Sequence, residues 1–184
     1  MRFYLESPRL ILRSFRPADL DSFLAYRSDP LVAQYQGWEI PYPREKAEAF
    51  IEEMSQQNFY PSVEWFQVAL ELRETGAMIG DCAFHLLETD QQQAEIGFSL
   101  ARAYWGFGYG TEAIQRLLAY LFEEVKLHRV IANCDPRNLA SSRLLERVGM
   151  RRQAHHIQSY YHSGEYTDEA VYAILRREYQ EQHP

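Results

Sequence analysis

A chain of 184 residues, 46% of them hydrophobic, fits one domain with a continuous core, and two only if both were small. A formal net charge of −7 disfavours non-specific nucleic-acid binding, because an acidic surface repels phosphate backbones; its pull on cationic substrates is only weak support for an amine. No apolar run approaches the roughly 18 residues that span a membrane, and the opening MRFYLESPRLIL lacks the apolar core and small-residue cleavage site of a signal peptide.

In chain order, LILRSF alternates enough for a strand. In PADLDSFLAYRSDP, Pro17 and Asp19 start a helix and Asp29-Pro30 stops it. Residues 36–43 read as an irregular loop, and over 44–57 the apolar positions 47, 50, 51 and 54 recur at helical spacing. The period then switches. WFQVALEL, MIGDCAFHLL and AEIGFSL are strand-like, separated by the 73–77 turn and the polar DQQQ loop, so they should form an antiparallel meander.

A helix over 110–125 follows, with a broad apolar stripe at 113, 114, 117, 118, 121, 122 and 125, and leads straight into the strand RVIANC. So short a strand–helix–strand unit implies parallel pairing. A second helix over 138–148 has Ala140, Leu144, Leu145 and Val148 as its buried face, with Gly149 at the left-handed cap. Strands over 151–161 and 166–175, turning around Ser163-Gly164, close the chain. The fold class is α/β with a mixed sheet, an antiparallel meander flowing into parallel β-α-β, in a single domain over 1–184. The 13 Tyr and 10 Phe read first as an aromatic-rich core and second as a ligand lining. Cys82 and Cys134 sit in apolar strands and read as buried free thiols of a reducing cytoplasm.

The informative segment is AEIGFSLARAYWGFGYGTEAIQRLL, where Gly106, Gly108 and Gly110 alternate immediately before a helix. Alternating glycines bare the backbone, and the loop amides together with the first unpaired N–H groups of the helix can converge on an anion such as a pyrophosphate. Two other phosphate motifs fail. The dinucleotide fingerprint needs Gly where Thr111 stands, and the kinase-type P-loop needs a Lys where Gly110 is followed by Thr111-Glu112.

YWGFGYGTEA resembles the acetyl-CoA pyrophosphate loop of the GNAT superfamily of N-acetyltransferases, in the form of its ribosomal-protein N-terminal acetyltransferase branch. The pattern Gln/Arg-x-x-Gly-x-Gly/Ala falls on Trp105, Gly108 and Gly110, with Trp105 in place of Gln/Arg. CDPRNLASSRLLERVGM, SPRLILRSFRPADLDSF and Gly164-Glu165-Tyr166-Thr167-Asp168 extend the resemblance over almost the whole chain, although Met150 replaces an aromatic residue. The resemblance implies a GNAT-like sheet splayed at the cofactor site, with helices on both faces and acetyl-CoA as co-substrate. It implies main-chain contacts from Phe98, Ser99 and Leu100, and amides from Phe107, Gly108, Tyr109, Gly110 and Thr111 on the pyrophosphate. Asn138 matches the family Asn that bonds the cofactor arm, and it also suits a helix N-cap. Relatives are often dimers, and nothing in the residues adds to that homodimer expectation.

The chemistry is attack of a neutral amine on a thioester, so an amine proton must leave and the thiolate must gain one. Many relatives place a Tyr seven residues after the Asn as the thiolate's acid; here that position is Leu145, which leaves Ser141 or water. Glu95 is the candidate base, with Tyr161, Glu165 and Asp168 as weaker alternatives. Glu112 reads as a dipole-complementing residue, Glu123-Glu124 as a solvated helix end, and His155-His156 as strand histidines on opposite sides rather than metal ligands. The acceptor is a protein N-terminus or a small amine such as a polyamine, an amino sugar or a toxin; residues 35–43 and 160–166 should wall it. A non-catalytic acetyl-CoA-binding module is the remaining alternative.

Overall fold

Apolar side chains at every second strand position build a sheet that separates two hydrophobic layers. The computed structural model describes residues 2–57, 61–162 and 164–183, so Ser163 of the expected last turn lies outside the described residues. The strands are β1 (Tyr4–Glu6), β2 (Leu10–Arg13), β3 (Phe66–Leu72), β4 (Met78–Leu87), β5 (Asp90–Leu100), β6 (Arg129–Cys134), β7 (Arg151–His162) and β8 (Glu165–Leu175). They form one eight-stranded sheet in the order β1-β2-β3-β4-β5-β6-β8-β7. The helices are α1 (Leu20–Arg27), α2 (Pro30–Ala33), α3 (Arg44–Gln56), α4 (Tyr109–Ala119), α5 (Leu139–Arg147) and α6 (Arg176–Gln182).

β3, β4 and β5 form the antiparallel meander, and the crossover through α4 makes β5 and β6 parallel. On one face Val68, Leu70, Phe84, Ile96 and Val130 pack with Ile114 and Leu117 of α4, Leu145 of α5 and Tyr179 of α6. On the other, Ala69 and Met78 pack with Phe23, Val32, Ala47 and Ile51 of α1, α2 and α3. Helices thus cover both faces, and the fold class is the one the sequence implied.

Several boundaries differ from the sequence reading for identifiable reasons. β5 begins at Asp90, so DQQQ belongs to the strand; residues 90–92 are exposed and carry no apolar alternation that marks them. Pro30 stops α1 and also starts α2, because proline suits a first helical position and the Asp29 carboxylate accepts from the Leu31 amide at 2.9 Å. α4 passes into a wider π turn over Tyr120–Glu124. α5 buries Ser142 and Leu145 where Ala140 was expected, and Ala140 is exposed. Gly149 takes φ 88°, the left-handed cap. β1 and α6, the one too short and the other too polar to show a period, were not anticipated.

A buried polar node hangs the 36–43 loop on the sheet. Asp81 of β4 accepts from the Tyr26 hydroxyl at 2.6 Å and from Arg27 Nη2 at 3.2 Å, and all three residues are buried. The Arg27 guanidinium lies 3.9 Å from the Trp38 ring centroid, and Trp38 Nε1 donates to the Arg27 carbonyl at 2.9 Å. Burial pushes the Tyr26 hydroxyl well above its ordinary pKa, with the Asp81 charge adding to the rise, so Tyr26 remains a donor. Removing one partner of a buried charge pair strands the other. Asp81→Asn is therefore expected to cost about 3 kcal/mol, read as a lower urea midpoint at unchanged slope. A shift equivalent to less than about 1 kcal/mol would show that the node does not hold the loop.

Candidate active site

β5 and β6 pair only over 93–95 against 129–131. Beyond that point β5 continues with β4 as far as the Gly80–Leu100 pair, and β6 continues with β8 as far as the Cys134–Ala170 pair. Each strand keeps its outer partner and loses the inner one, so the sheet forks. A cavity of about 100 Å³ opens in the fork, lined by Ile96, Gly97 and Phe98 on one side and Asn133, Cys134 and Asp135 on the other. Asn138 and Ser141 line this cavity and also a larger one of about 990 Å³ that contains Phe98, Ser99, Leu100 and the glycine loop.

The glycines have different reasons to be there. Gly106 and Gly108 have φ of 82° and 81°, the left-handed region that L side chains avoid, and Gly108 is the residue that caps α4. Gly110 has an ordinary φ, and a Cβ there would stand 2.8 Å from Leu144 Cδ1, so a larger residue would require the Leu144 side chain to move. Trp105 Nε1 donates to the Leu100 carbonyl at 2.7 Å and ties the loop back to the end of β5. The first α4 bond runs from the Glu112 amide to the Gly108 carbonyl at 3.1 Å. Among the described residues no carbonyl or side chain accepts from the amides of Gly108, Tyr109, Gly110 or Thr111. All four residues line the larger cavity. Unpaired donors at the positive end of a helix, facing a cavity, fit an anion.

The charge lining supports that fit. In a chain of net charge −7, Arg9, Arg137, Arg143 and Arg147 all line the larger cavity, and Arg147 Nη1 donates to Thr111 Oγ1 at 3.1 Å. Phe107 lies apart from the other expected donor-site residues; its side chain is 62% exposed, and its carbonyl accepts from Arg9 Nη1 at 3.0 Å. Asn138 does cap α5, accepting from the Ser141 amide through Oδ1 at 3.1 Å. That assignment leaves its Nδ2 facing the cavities, with no protein acceptor among the described residues. Leu145 is 1% exposed and borders the fork. Glu112 is more than a dipole partner: it accepts from Ser7 Oγ at 2.8 Å, the Arg9 amide at 2.7 Å and Arg9 Nε at 2.6 Å.

Glu95 is the last residue of β5 that pairs with β6, and between Ala94 and Ile96 of the α4 layer it faces the opposite side of the sheet. Asn133 Nδ2 donates to its Oε1 at 3.2 Å, and His85 Nε2 lies 3.5 Å from Oε2. Glu95 borders neither cavity; Asn133 links it to the fork. Burial pushes the carboxyl above its ordinary pKa, and the His85 imidazole and Asn133 amide offset only part of the rise. Trp65 packs on His85 with ring centroids 4.2 Å apart. The weaker candidates lie elsewhere: Asp168 binds His155 Nε2 at 2.7 Å and the Gln158 amide at 2.9 Å, and Glu165 pairs with Arg137 at 3.3 Å. Arg9 and Asn133 were not legible because partners 103 and 38 residues away bring them in, whereas His85 stands directly opposite Glu95 in the expected hairpin and strand pairing could have found it.

The described geometry can be set beside known proteins. An acetyltransferase (GNAT) domain model matches residues 9–151. The uncharacterized N-acetyltransferase YnaD of Bacillus subtilis is 34% identical over 179 residues, covering 96% of this chain and 99% of that protein. The crystal structure of a GNAT-family acetyltransferase from Bacillus anthracis superposes with a TM-score of 0.85 at 31% identity, covering 95% of this chain and 99% of that one. The same fold is seen in the ribosomal L7/L12 alpha-N-protein acetyltransferase RimL in complex with coenzyme A, with a TM-score of 0.78, 19% identity and coverage of 94% and 98%.

The open amides generate a test. A β-branched side chain at φ 81° strains the loop where the amides converge, so Gly108→Val is expected to weaken coenzyme A binding at least about tenfold by calorimetry. Undiminished binding by a folded Gly108→Val protein would remove the loop from the site.

Proposed function

The chain belongs to the acetyltransferase (GNAT) domain family and is an acetyl-CoA-dependent N-acetyltransferase; from that premise we propose that its acceptor is the α-amino group at the N-terminus of a peptide or protein. The observation that carries the reading is the fork between β5 and β6, whose cavity is lined by Asn133, the residue that holds the Glu95 carboxylate by one hydrogen bond. The two free cysteines support a reducing, cytoplasmic setting.

Acetyl-CoA supplies the thioester carbon that the amine attacks. The amides of Gly108, Tyr109, Gly110 and Thr111 hold the diphosphate, and Asn138 Nδ2 with the free edge of β5 at Phe98, Ser99 and Leu100 aligns the arm. Alignment alone supplies up to about 7–11 kcal/mol of the barrier, so modest side-chain chemistry suffices. Glu95, held in place by the Asn133 amide, receives the amine proton through water in the fork. Ser141, half-buried on the first turn of α5 and lining both cavities, donates toward the departing sulfur in place of the tyrosine that Leu145 replaces.

A single carboxylate favours an amine that is easy to deprotonate. An α-amine with a pKa near ~8 is about a quarter neutral at pH 7.5, whereas a lysine-like amine near ~10.4 is neutral about once in a thousand. The small cavity at the fork admits the amine and little else, so the rest of the acceptor lies outside it. Tyr160, Tyr161 and Tyr166, 50–64% exposed, offer it an aromatic rim, and the Tyr160 hydroxyl stands 3.5 Å from where a Gly37 Cβ would be. One observation favours a small polyamine instead: the Glu169 charge lies near enough to Glu95 to raise its pKa further, and a polycation would neutralise both.

Turnover of acetyl-CoA against a panel of N-terminal peptides and small amines, read by mass spectrometry, separates these acceptors. The peptide panel is expected to lead, and faster acetylation of polyamines would select the second reading. A base works only when deprotonated, so kcat/KM should fall as pH drops through the raised Glu95 value, starting at a higher pH than an exposed carboxylate gives. Glu95→Gln is expected to lower kcat/KM at least about tenfold, abolish that acid limb and leave acetyl-CoA affinity unchanged. An unaltered limb in the variant would take Glu95 out of the mechanism.

A further inference from the structure

The segment before β2 reaches the glycine loop from about a hundred residues away in sequence. Arg9 is its point of contact. Arg9 Nε donates to Glu112 Oε2 at 2.6 Å, its amide donates to Glu112 Oε1 at 2.7 Å, and Nη1 donates to the Phe107 carbonyl at 3.0 Å. The guanidinium also lies 4.5 Å from the Tyr109 ring centroid. Ser7 Oγ adds a bond to Glu112 Oε1 at 2.8 Å. Burial works to raise the Glu112 pKa, but the Arg9 amide, Ser7 and the Arg9 side chain outweigh it and hold the carboxyl below its ordinary range. Glu112 therefore remains an anion under Arg9.

These bonds use two of the three guanidinium nitrogens. Nη2 has no protein acceptor among the described residues, and it lies 3.5 Å from the point where a Gly108 Cβ would stand. The free edge of the cation is thus beside the first of the open amides, and Arg9 lines the larger cavity. The Phe107 carbonyl is thus held on Arg9 immediately before the residues whose amides line the cavity.

We propose that Arg9 is a positioning and specificity residue of the donor site, which locks the glycine loop through Phe107 and Glu112 and presents Nη2 to the diphosphate of acetyl-CoA. The proposal rests on the reading of the Gly108–Thr111 amides as the diphosphate site, and it adds a residue that neither the loop motif nor its helix contains. A forked guanidinium suits this double task, and a lysine, with one compact ammonium, does not reproduce it.

S-acetylpantetheine, which keeps the thioester and lacks the diphosphate, separates this role from a structural one. Arg9→Met is expected to raise KM for acetyl-CoA by about ten- to a hundredfold, with kcat at saturation little changed and KM for S-acetylpantetheine unmoved. Arg9→Lys should recover part of the acetyl-CoA loss and serves alone if the methionine variant does not fold. An equal loss with both donors, or no loss with acetyl-CoA, overturns the proposal. Gly108→Val distinguishes the underlying reading: if it also leaves acetyl-CoA KM at the wild-type value, the diphosphate site itself is misplaced, whereas an effect of Gly108→Val without one of Arg9→Met sinks only the role of Arg9.

Discussion

Backbone hydrogen-bonding groups need partners, and in this molecule two sets lose theirs at the same place. The ladder between β5 and β6 stops after 95 and 131, while each strand stays bound to its outer neighbour. A few residues later the chain turns through Gly106 and Gly108 and starts α4 with four amides for which no acceptor is found among the described residues. Unpaired strand edge and unpaired helix start face one continuous pair of cavities. An extended, amide-bearing arm that ends in a diphosphate would answer both demands, and this match is the geometric support for the proposed donor site.

The sheet also separates charges. The larger cavity gathers Arg9, Arg137, Arg143 and Arg147. Glu95, His85 and Asn133 occupy the opposite face, on three adjacent strands, one of them on each side of the fork's base. In the proposed mechanism this separation would draw a cationic acceptor and an anionic donor from different sides toward the point where the sheet opens. The Asp81–Tyr26–Arg27 node ties the 36–43 loop to the sheet through Trp38, so the proposed acceptor wall would depend on buried polar contacts made far from the glycine loop.

Much of this was legible in the sequence where a single element carries the signal. The 3.6-residue stripe of α4, the strand-like apolar runs of β3 and β4 and the spacing of Gly106, Gly108 and Gly110 are local signals, and each produced the expected element. The reading failed where the cause lies elsewhere in the chain. Residues 90–92 are a strand because β4 runs beside them, not because they alternate. Glu112 resembled a helix-dipole residue because its partners Ser7 and Arg9 lie more than a hundred positions away. Asn138 reads as either a cap or a ligand; its Oδ1 caps α5, and among the described residues its Nδ2 has no acceptor, which leaves the proposed ligand role open to it.

The central claim concerns the amides at the start of α4 and the free edge of β5, and hydrogen–deuterium exchange of the protein with and without acetyl-CoA addresses both. The account predicts that the cofactor slows exchange at Gly108–Thr111 and at Phe98–Leu100, while α1, α3 and the β7–β8 pair change little. Protection confined to other segments, with those amides exchanging at the unliganded rate, would contradict it.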